Sequence, residues 1–166
     1  MPVLVFETTW GACELHFNEA GVTGFRLPEA EKRSTSRDEQ SPAPDWVRAL
    51  ADKVCAHLQD GRQDFSDVPY VWDGVGPFPR AVYQALLQVK PGHTATYGEL
   101  AARIGQPLAA SRAVGVALGQ NPWPLLVPCH RCVGAGGRMV GFSGPGGVKT
   151  KLRLLALEGA ELLAEG

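Results

Sequence analysis

The chain contains 166 residues, of which 45% are hydrophobic and 20% are charged, and its formal net charge is −1. A chain of this length buries about 70% of the surface that its unfolded form exposes, which is enough for a hydrophobic core. No stretch approaches the roughly 20 continuous apolar residues of a membrane-spanning helix, so we expect no membrane segment. Residues 1–7 lack a basic leader and a long apolar region, so no secretion signal is expected.

The four cysteines, at positions 13, 55, 129 and 132, are too few for a disulfide scaffold. They indicate a reducing compartment, and we therefore predict a cytoplasmic location. The cysteines and the four histidines are scattered along the chain rather than spaced as a ligand set, so the sequence predicts no metal site.

The two halves of the chain differ in charge. Residues 1–76 contain 7 Lys or Arg against 13 Asp or Glu, whereas residues 77–166 contain 9 Lys or Arg against 4 Asp or Glu. We predict a domain boundary at this point, within a glycine-rich stretch that begins at Asp73. A basic C-terminal half suits a polyanionic partner, although an acidic domain packed against a basic one explains the same pattern.

The N-terminal half reads as a small α/β domain. Alternating apolar residues predict strands over residues 3–6, 12–17 and 22–27, separated by short turns. Residues 29–44 are polar and aperiodic, which predicts a loop. Asp45 is a candidate cap for a helix that ends near Gly61, and residues 68–72 are a candidate edge strand.

The C-terminal half is predicted to be helix-rich. A first helix covers residues 78–90, and Thr96 with Glu99 has the spacing of a capping box that opens a second helix to about Ile104. After a short turn, a third helix runs over residues 108–118. Helix, turn and helix in this order is the pattern of a DNA-binding helix-turn-helix, although small residues such as Ala113 suit ordinary close packing equally well.

The segment Pro128-Cys129-His130-Arg131 carries the strongest chemical signal. It follows residues 125–127, a short apolar run that predicts a buried strand. Proline constrains the backbone before the cysteine, and the neighbouring histidine can accept the thiol proton. Because the thiolate is the nucleophilic form of cysteine, this arrangement predicts a reactive residue rather than an inert buried thiol.

Four ordered motifs over about residues 76–159 resemble those of the O6-alkylguanine-DNA alkyltransferases. They are Tyr97-Gly98-Glu99-Leu100-Ala101, Ser111-Arg112-Ala113-Val114-Gly115 with Asn121-Pro122, Val127-Pro128-Cys129-His130-Arg131, and Leu154-Leu155-Ala156-Leu157-Glu158-Gly159. The resemblance implies a two-domain α/β protein. Its N-terminal domain, residues 1–76, would be a ribonuclease H-like antiparallel sheet with helices, and residues 77–166 a helical domain with a helix-turn-helix.

The resemblance also implies the reaction. An alkyl group leaves O6 of guanine in DNA, or O4 of thymine, and is transferred irreversibly to Cys129, so each molecule reacts once. His130 takes the thiol proton through a water, Glu158 orients the imidazole, and Asn121 ties the reactive turn to the helix-turn-helix. Tyr97 protonates the departing guanine.

The substrate atom lies inside the DNA stack, so the nucleotide must be rotated out of the duplex. By resemblance, Arg112 fills the gap and Ser143 contacts guanine O6. The implied substrate-binding residues are Arg112, Ser143, Cys132 and Phe142. The implied DNA contacts are Tyr97, Ala110, Ser111, Arg112 and Arg131. Double-stranded DNA is the expected partner of a monomer, with no cofactor and no membrane.

Three positions depart from the family pattern. Cys132 replaces a β-branched residue, Tyr83 stands where tryptophan is common, and Phe142 replaces a tyrosine. Two alternatives follow from the residues themselves. Cys129 and Cys132 have the spacing of a thiol–disulfide pair, although no βαβ pattern surrounds them. A non-catalytic binder of alkylated DNA is the other alternative, but such relatives lack the reactive cysteine.

Overall fold

The computed structural model describes residues 2–28, 42–134, 136 and 147–160. Over these ranges the chain is an α/β protein with a three-stranded antiparallel sheet, a two-stranded parallel pair and five α-helices. The strands are β1 (Val3–Thr8), β2 (Gly11–Asn18), β3 (Gly21–Arg26), β4 (Ala95–Thr96) and β5 (Cys132–Val133). The helices are α1 (Asp45–Asp60), α2 (Pro77–Leu86), α3 (Tyr97–Arg103), α4 (Ser111–Gly119) and α5 (Gly147–Leu157).

The three predicted N-terminal strands are confirmed, with bounds that differ from the prediction by one or two residues. They form a meander in the order β1-β2-β3, and an irregularity in the β2–β3 pairing lies between His16 and Phe17. Residues 68–72 form less than the predicted edge strand: Tyr70 makes a single parallel bridge to Val22. Of the predicted loop, residues 29–41 lie outside the described residues.

Helix α1 packs one apolar stripe against the sheet. Asp45 is not its cap, because Pro44 takes that position and Asp45 lies in the first turn, where a carboxylate favours the positive end of the helix dipole. The helix ends at Gly61, which adopts a left-handed conformation with φ 67°. A Cβ at Gly61 would lie 2.3 Å from the carbonyl oxygen of Leu157, so only glycine lets the ends of α1 and α5 approach this closely.

The C-terminal helices follow the predicted order. The Thr96–Glu99 capping box is confirmed by two reciprocal hydrogen bonds of 3.0 Å. Helix α2 ends at Leu86, earlier than predicted, and the chain turns before Pro91. The predicted third helix begins as a 3₁₀ turn over Leu108–Ala110 and continues as α4.

The strand predicted over residues 125–127 is wrong. These residues are buried as expected, but they form a turn in which Leu125 has φ 80°. An apolar run reports burial rather than conformation, and here the buried element is a tight turn between α4 and the reactive segment.

Both halves of the chain contribute to one core, at whose centre lies Trp123. Its indole N–H donates to the carbonyl of Val22 over 3.0 Å, and its ring makes edge contacts with Tyr70, Trp72 and Tyr83. This packing fixes the C-terminal helices against the N-terminal sheet. In the part of the chain that the structure describes, no helix has the length and apolar character needed to cross a bilayer.

Candidate active site

Cys129 opens a 3₁₀ turn, Cys129–Arg131, directly after Pro128. Its backbone N–H donates to the carbonyl of Val127 over 2.7 Å, which closes the chain into a sharp bend. The residue is 5% exposed, and all four cysteines are reduced thiols. The sequence therefore places the candidate nucleophile on a constrained turn, near the surface but largely shielded from water.

Asn121 holds this turn in place. Its side-chain amide donates to the carbonyl of Val127 over 2.9 Å, and its side-chain oxygen accepts from the N–H of Trp123, also over 2.9 Å. Both contacts are buried; loss of the side chain would deprive the Trp123 N–H of this acceptor, whereas the Val127 carbonyl still accepts from the Cys129 N–H. Asn121 was predicted to lie next to the reactive turn. It follows the end of α4 and its side chain binds Val127, so it connects α4 to that turn.

Glu158, at the end of α5, is the centre of a buried polar network. His130 Nε2 lies 2.9 Å from Glu158 Oε2. Arg131 binds the same carboxylate with two nitrogens, Nε to Oε1 at 2.9 Å and Nη2 to Oε2 at 2.8 Å, and its Nη1 donates to the carbonyl of Val89. The arrangement places a carboxylate beside the imidazole, in the position that an orienting acid requires.

Both Glu158 and His130 have a pKa below the ordinary value, for different reasons. Burial raises the pKa of Glu158, but the charge that His130 gains at acid pH and the hydrogen bonds from Arg131, His130 and His57 outweigh it and hold the pKa well below its usual range. Burial lowers the pKa of His130, and this effect exceeds the opposing attraction of Glu158. The pair is therefore an ionised carboxylate and a neutral imidazole at neutral pH.

The hydrogen bonds also settle which imidazole nitrogen of His130 carries the proton. Glu158 is an acceptor, so the proton of the neutral ring lies on Nε2. Nδ1 then has a lone pair; it is buried and has no hydrogen-bond partner among the described protein groups. An imidazole in this state, directly next to Cys129 in the chain, has the form needed to accept a thiol proton.

Several ionisable side chains lie near Cys129. Burial raises the pKa of Tyr97 to about 12, so its phenol is protonated at neutral pH. Burial likewise raises the pKa of Cys132 to about 12 and leaves it a protonated thiol. This is unfavourable for redox chemistry, since thiol–disulfide exchange requires an accessible thiolate.

Sequence reasoning missed two buried residues of this region. Lys151, on α5, is 1% exposed; burial lowers its pKa, and Cys132 and Cys129 oppose that effect. His57, on α1, lies with its Nε2 2.8 Å from Glu158 Oε2. Both occupy apolar faces of their helices, and a polar residue at a core position is the signal that could have identified them.

The predicted DNA contacts Ala110, Ser111 and Arg112 lie together at the start of α4. Arg112 is exposed, while Ala110 and Ser111 are half-buried. Leu108 and Val116 are exposed on the same pair of elements, at 76% and 58%. Helix α3 lies close beneath, because a Cβ at Gly98 would be 2.6 Å from Leu108 Cδ1. We call Leu108, Arg112 and Val116 the α4 face.

Most of the predicted site residues therefore lie close together in the structure, and the others do not. Cys129, His130, Asn121, Glu158, Cys132 and Tyr97 lie in one region around the reactive turn. Arg131 is at odds with its predicted DNA contact, because it is 4% exposed and its guanidinium binds Glu158 and Val89 inside the protein. Phe142 and Ser143 lie outside the described residues. In the described ranges, no three His, Cys, Asp or Glu side chains are grouped to hold a metal ion.

Comparison with known proteins identifies relatives of this arrangement. Residues 77–160 match the family described as 6-O-methylguanine DNA methyltransferase, DNA binding domain. A methylated-DNA–protein-cysteine methyltransferase of Methanosarcina acetivorans is 34% identical over 94% of this chain and 97% of its own length. One from Mycobacterium bovis is 38% identical over 82% of this chain and 79% of its own length.

A similar fold is found in a crystal structure of Mycobacterium tuberculosis OGT in complex with DNA. The two structures align with a TM-score of 0.78 at 34% sequence identity, over 95% of this chain and 93% of that chain. The agreement extends across both halves of the molecule, so the small antiparallel sheet and the helices after it share the arrangement of that protein.

Proposed function

The chain belongs to the family of methylated-DNA–protein-cysteine methyltransferases, and on that premise we propose that it repairs DNA by moving an alkyl group from O6 of guanine to its own Cys129. The observation that carries this proposal is the Glu158 network. It supports a neutral His130 whose Nε2 is held by the carboxylate and whose Nδ1 keeps a lone pair, in the residue that directly follows Cys129 in the chain.

The reaction is a displacement at saturated carbon. His130 accepts the thiol proton, and the Cys129 sulfur attacks the alkyl carbon that is bonded to O6 of the base. A carbon–sulfur bond forms while the carbon–oxygen bond breaks, and its electron pair stays with guanine. The Tyr97 phenol, which is protonated at neutral pH, supplies the proton that leaves guanine neutral.

The product is a thioether, which is stable, so the protein is consumed in the reaction and one molecule repairs one lesion. No cofactor enters this scheme, because the nucleophile, base and acid are all side chains of the chain. O4-alkylthymine presents the same kind of bond to the thiol, and we include it as a second substrate class. We further propose that the protein acts as a monomer on double-stranded DNA.

Recognition of DNA is assigned to α3 and α4 as a helix-turn-helix. Helix α4 offers small and apolar side chains with one arginine, and these are poorly suited to reading base edges in the major groove. We therefore propose contact that does not depend on sequence, with Arg112 entering the space of the rotated nucleotide. Residues 1–76 are proposed as a ribonuclease H-like domain that supports residues 77–166.

The test is the intact mass of the protein after mixing with a duplex oligonucleotide that contains O6-methylguanine. We expect a gain of one methylene unit that maps to Cys129 and stops at one equivalent. Cys129→Ser removes the gain, whereas Cys55→Ser, at a partly exposed cysteine whose thiol donates to the carbonyl of Glu7 in β1, retains it. Binding without a mass change would support the non-catalytic alternative, and a mass gain at another residue would contradict the assignment of Cys129.

A further inference from the structure

His57 is the one histidine of the N-terminal half that lies fully buried. It occupies the last turn of α1, on the same face as Val54 and Leu58, where an apolar residue is the ordinary choice. Its ring meets Phe65 edge-on with centroids 5.4 Å apart. A buried imidazole costs free energy unless both ring nitrogens find partners, so the partners of His57 explain its presence.

Both nitrogens of His57 have a partner. The backbone N–H of Gln63 donates to Nδ1 over 3.1 Å, and Nε2 lies 2.8 Å from Glu158 Oε2. A nitrogen that accepts a hydrogen bond carries no proton, so the ring is neutral with its proton on Nε2. The donor at Gln63 is main chain, which fixes this tautomer without reliance on another side chain. His57 is therefore a hydrogen-bond donor to Glu158.

The contact is made across 101 residues of sequence and depends on a close approach of two helix ends. Gly61 closes α1 within a few ångströms of the backbone of Leu157 and Glu158, which leaves no room for a side chain at position 61. The same approach brings the last turn of α1 to the carboxylate. The backbone geometry and the hydrogen bond thus select one position of Glu158.

Glu158 Oε2 accepts three donors: His57, His130 and Arg131. With Oε1 bound by Arg131 as well, the carboxylate has a donor on each oxygen and a fixed plane. His130 receives its orientation from this carboxylate alone, through Nε2. A displaced or rotated carboxylate would therefore change the direction in which Nδ1 of His130 points.

We propose that His57 is a positioning residue for the alkyl transfer, which holds the Glu158 carboxylate in the place where it orients His130. The proposal deepens the proposed function and rests on it. It assigns the N-terminal half a direct part in the site, through a fully buried residue whose ring contacts Glu158, Gln63 and Phe65. His57 also shares the charge of the carboxylate, which limits how strongly Glu158 attracts a proton to His130.

The test compares two variants that differ in the donor. His57→Phe keeps an aromatic ring against Phe65 but has no donor, whereas His57→Gln places an N–H near the position of Nε2. We expect His57→Phe to slow methyl transfer from O6-methylguanine in duplex DNA about tenfold or more. His57→Gln should stay within about threefold of the unaltered protein, because the donor is restored.

The pH dependence of the rate distinguishes positioning from simple packing. The groups facing His130 are Glu158, Arg131 and His57, and removal of His57 leaves the carboxylate to attract the His130 proton more strongly. The acid limb of the profile should therefore move to higher pH in His57→Phe and remain in place in His57→Gln. Equal slowing of both variants, or an unchanged rate and profile in His57→Phe, would overturn the proposal.

Two further measurements separate this proposal from the function on which it rests. Nitrogen-15 NMR of the histidine rings in the unaltered protein should find the neutral form of His57 with its proton on Nε2 at pH 7. A proton on Nδ1 would overturn the proposal, whether or not His57→Phe folds. The rate at which iodoacetamide alkylates Cys129 reports the same positioning without DNA, so it remains informative if no methyl transfer is found.

Discussion

The Glu158 network and the α4 face differ in almost every physical property. The network is fully buried, and each of its charged groups has a geometrically defined partner. The α4 face is exposed and carries Leu108, Arg112 and Val116 without a polar network of its own. On the proposed function, chemistry and recognition are built separately: the first requires fixed geometry inside the protein, and the second a surface that accepts DNA of any sequence.

This separation predicts that damage to the network costs both stability and reactivity. Glu158→Gln removes the carboxylate and leaves the Arg131 guanidinium buried beside an amide. Breaking one partner of a buried ion pair typically costs about 3–5 kcal/mol. We expect a loss of this size in the free energy of unfolding, and slower transfer from duplex DNA and from free O6-benzylguanine alike.

Chemical denaturation together with the two transfer rates measures these effects. Glu99→Gln is the matched control, since Glu99 is an exposed carboxylate in a helix cap. If the Glu158→Gln protein were as stable and as reactive as the unaltered one, the network would be needed neither for stability nor for transfer.

A smaller loss is expected from the close approach at the end of α1. Gly61→Ala combines a left-handed backbone with a Cβ 2.3 Å from the Leu157 carbonyl oxygen. Gly74 has a comparable φ of 81° but nothing within 4 Å of the added carbon, so Gly74→Ala isolates the backbone term, about 1 kcal/mol.

In thermal unfolding, the melting temperature of Gly61→Ala should therefore be well below that of Gly74→Ala. Transfer should also slow in Gly61→Ala, because α5 must move and carry Glu158 with it. Equal melting temperatures in the two variants would mean that α5 tolerates the shift without loss.

Acid pH should weaken the fold in a graded way. The pKa of His130 lies below its ordinary 6.5, so the unfolded chain binds a proton that the folded chain does not as pH falls through that value. The pKa of Glu158 lies below its ordinary 4.5, and the unfolded carboxyl again takes the proton first. Both groups therefore make stability fall as pH is lowered from 7.5 towards 4.

Denaturant titrations at pH 7.5, 6 and 5 measure this slope. In His130→Gln, the free energy of unfolding should depend less on pH between 7.5 and 6. His93→Gln, at an exposed histidine, is the control and should have the same pH dependence as the unaltered protein. A stability that is constant over this range in the unaltered protein would be inconsistent with a buried neutral His130.

The sequence predicted what local patterns encode. The strands of the meander, helix α1 and the capping box at Thr96 each depend on residues close together in the chain, and each is present. Cys129 and His130 were identifiable because they are neighbours with a specific context. Glu158 was identifiable by resemblance alone, since a helix-terminal glutamate has no distinguishing local pattern.

Contacts between distant segments were beyond local patterns. His57 meets Glu158 across the two halves, and the sequence shows only a histidine within an apolar stripe. Arg131 was expected to contact DNA by resemblance alone; its partner, Glu158, is 27 residues away. The turn at Leu125 was mistaken for a strand because burial, rather than periodicity, determined the apolar run.

The Arg112→Ala variant tests whether chemistry and recognition are separate, through the ratio of two transfer rates. Transfer of methyl from O6-methylguanine in duplex DNA is compared with transfer of benzyl from the free base O6-benzylguanine. Because rotating a nucleotide out of the stack costs a few kcal/mol, loss of the side chain that is proposed to fill the gap should slow the duplex reaction about tenfold or more. The free-base reaction and the melting temperature should not change. Equal slowing of both reactions would contradict the separation and place Arg112 within the chemistry itself.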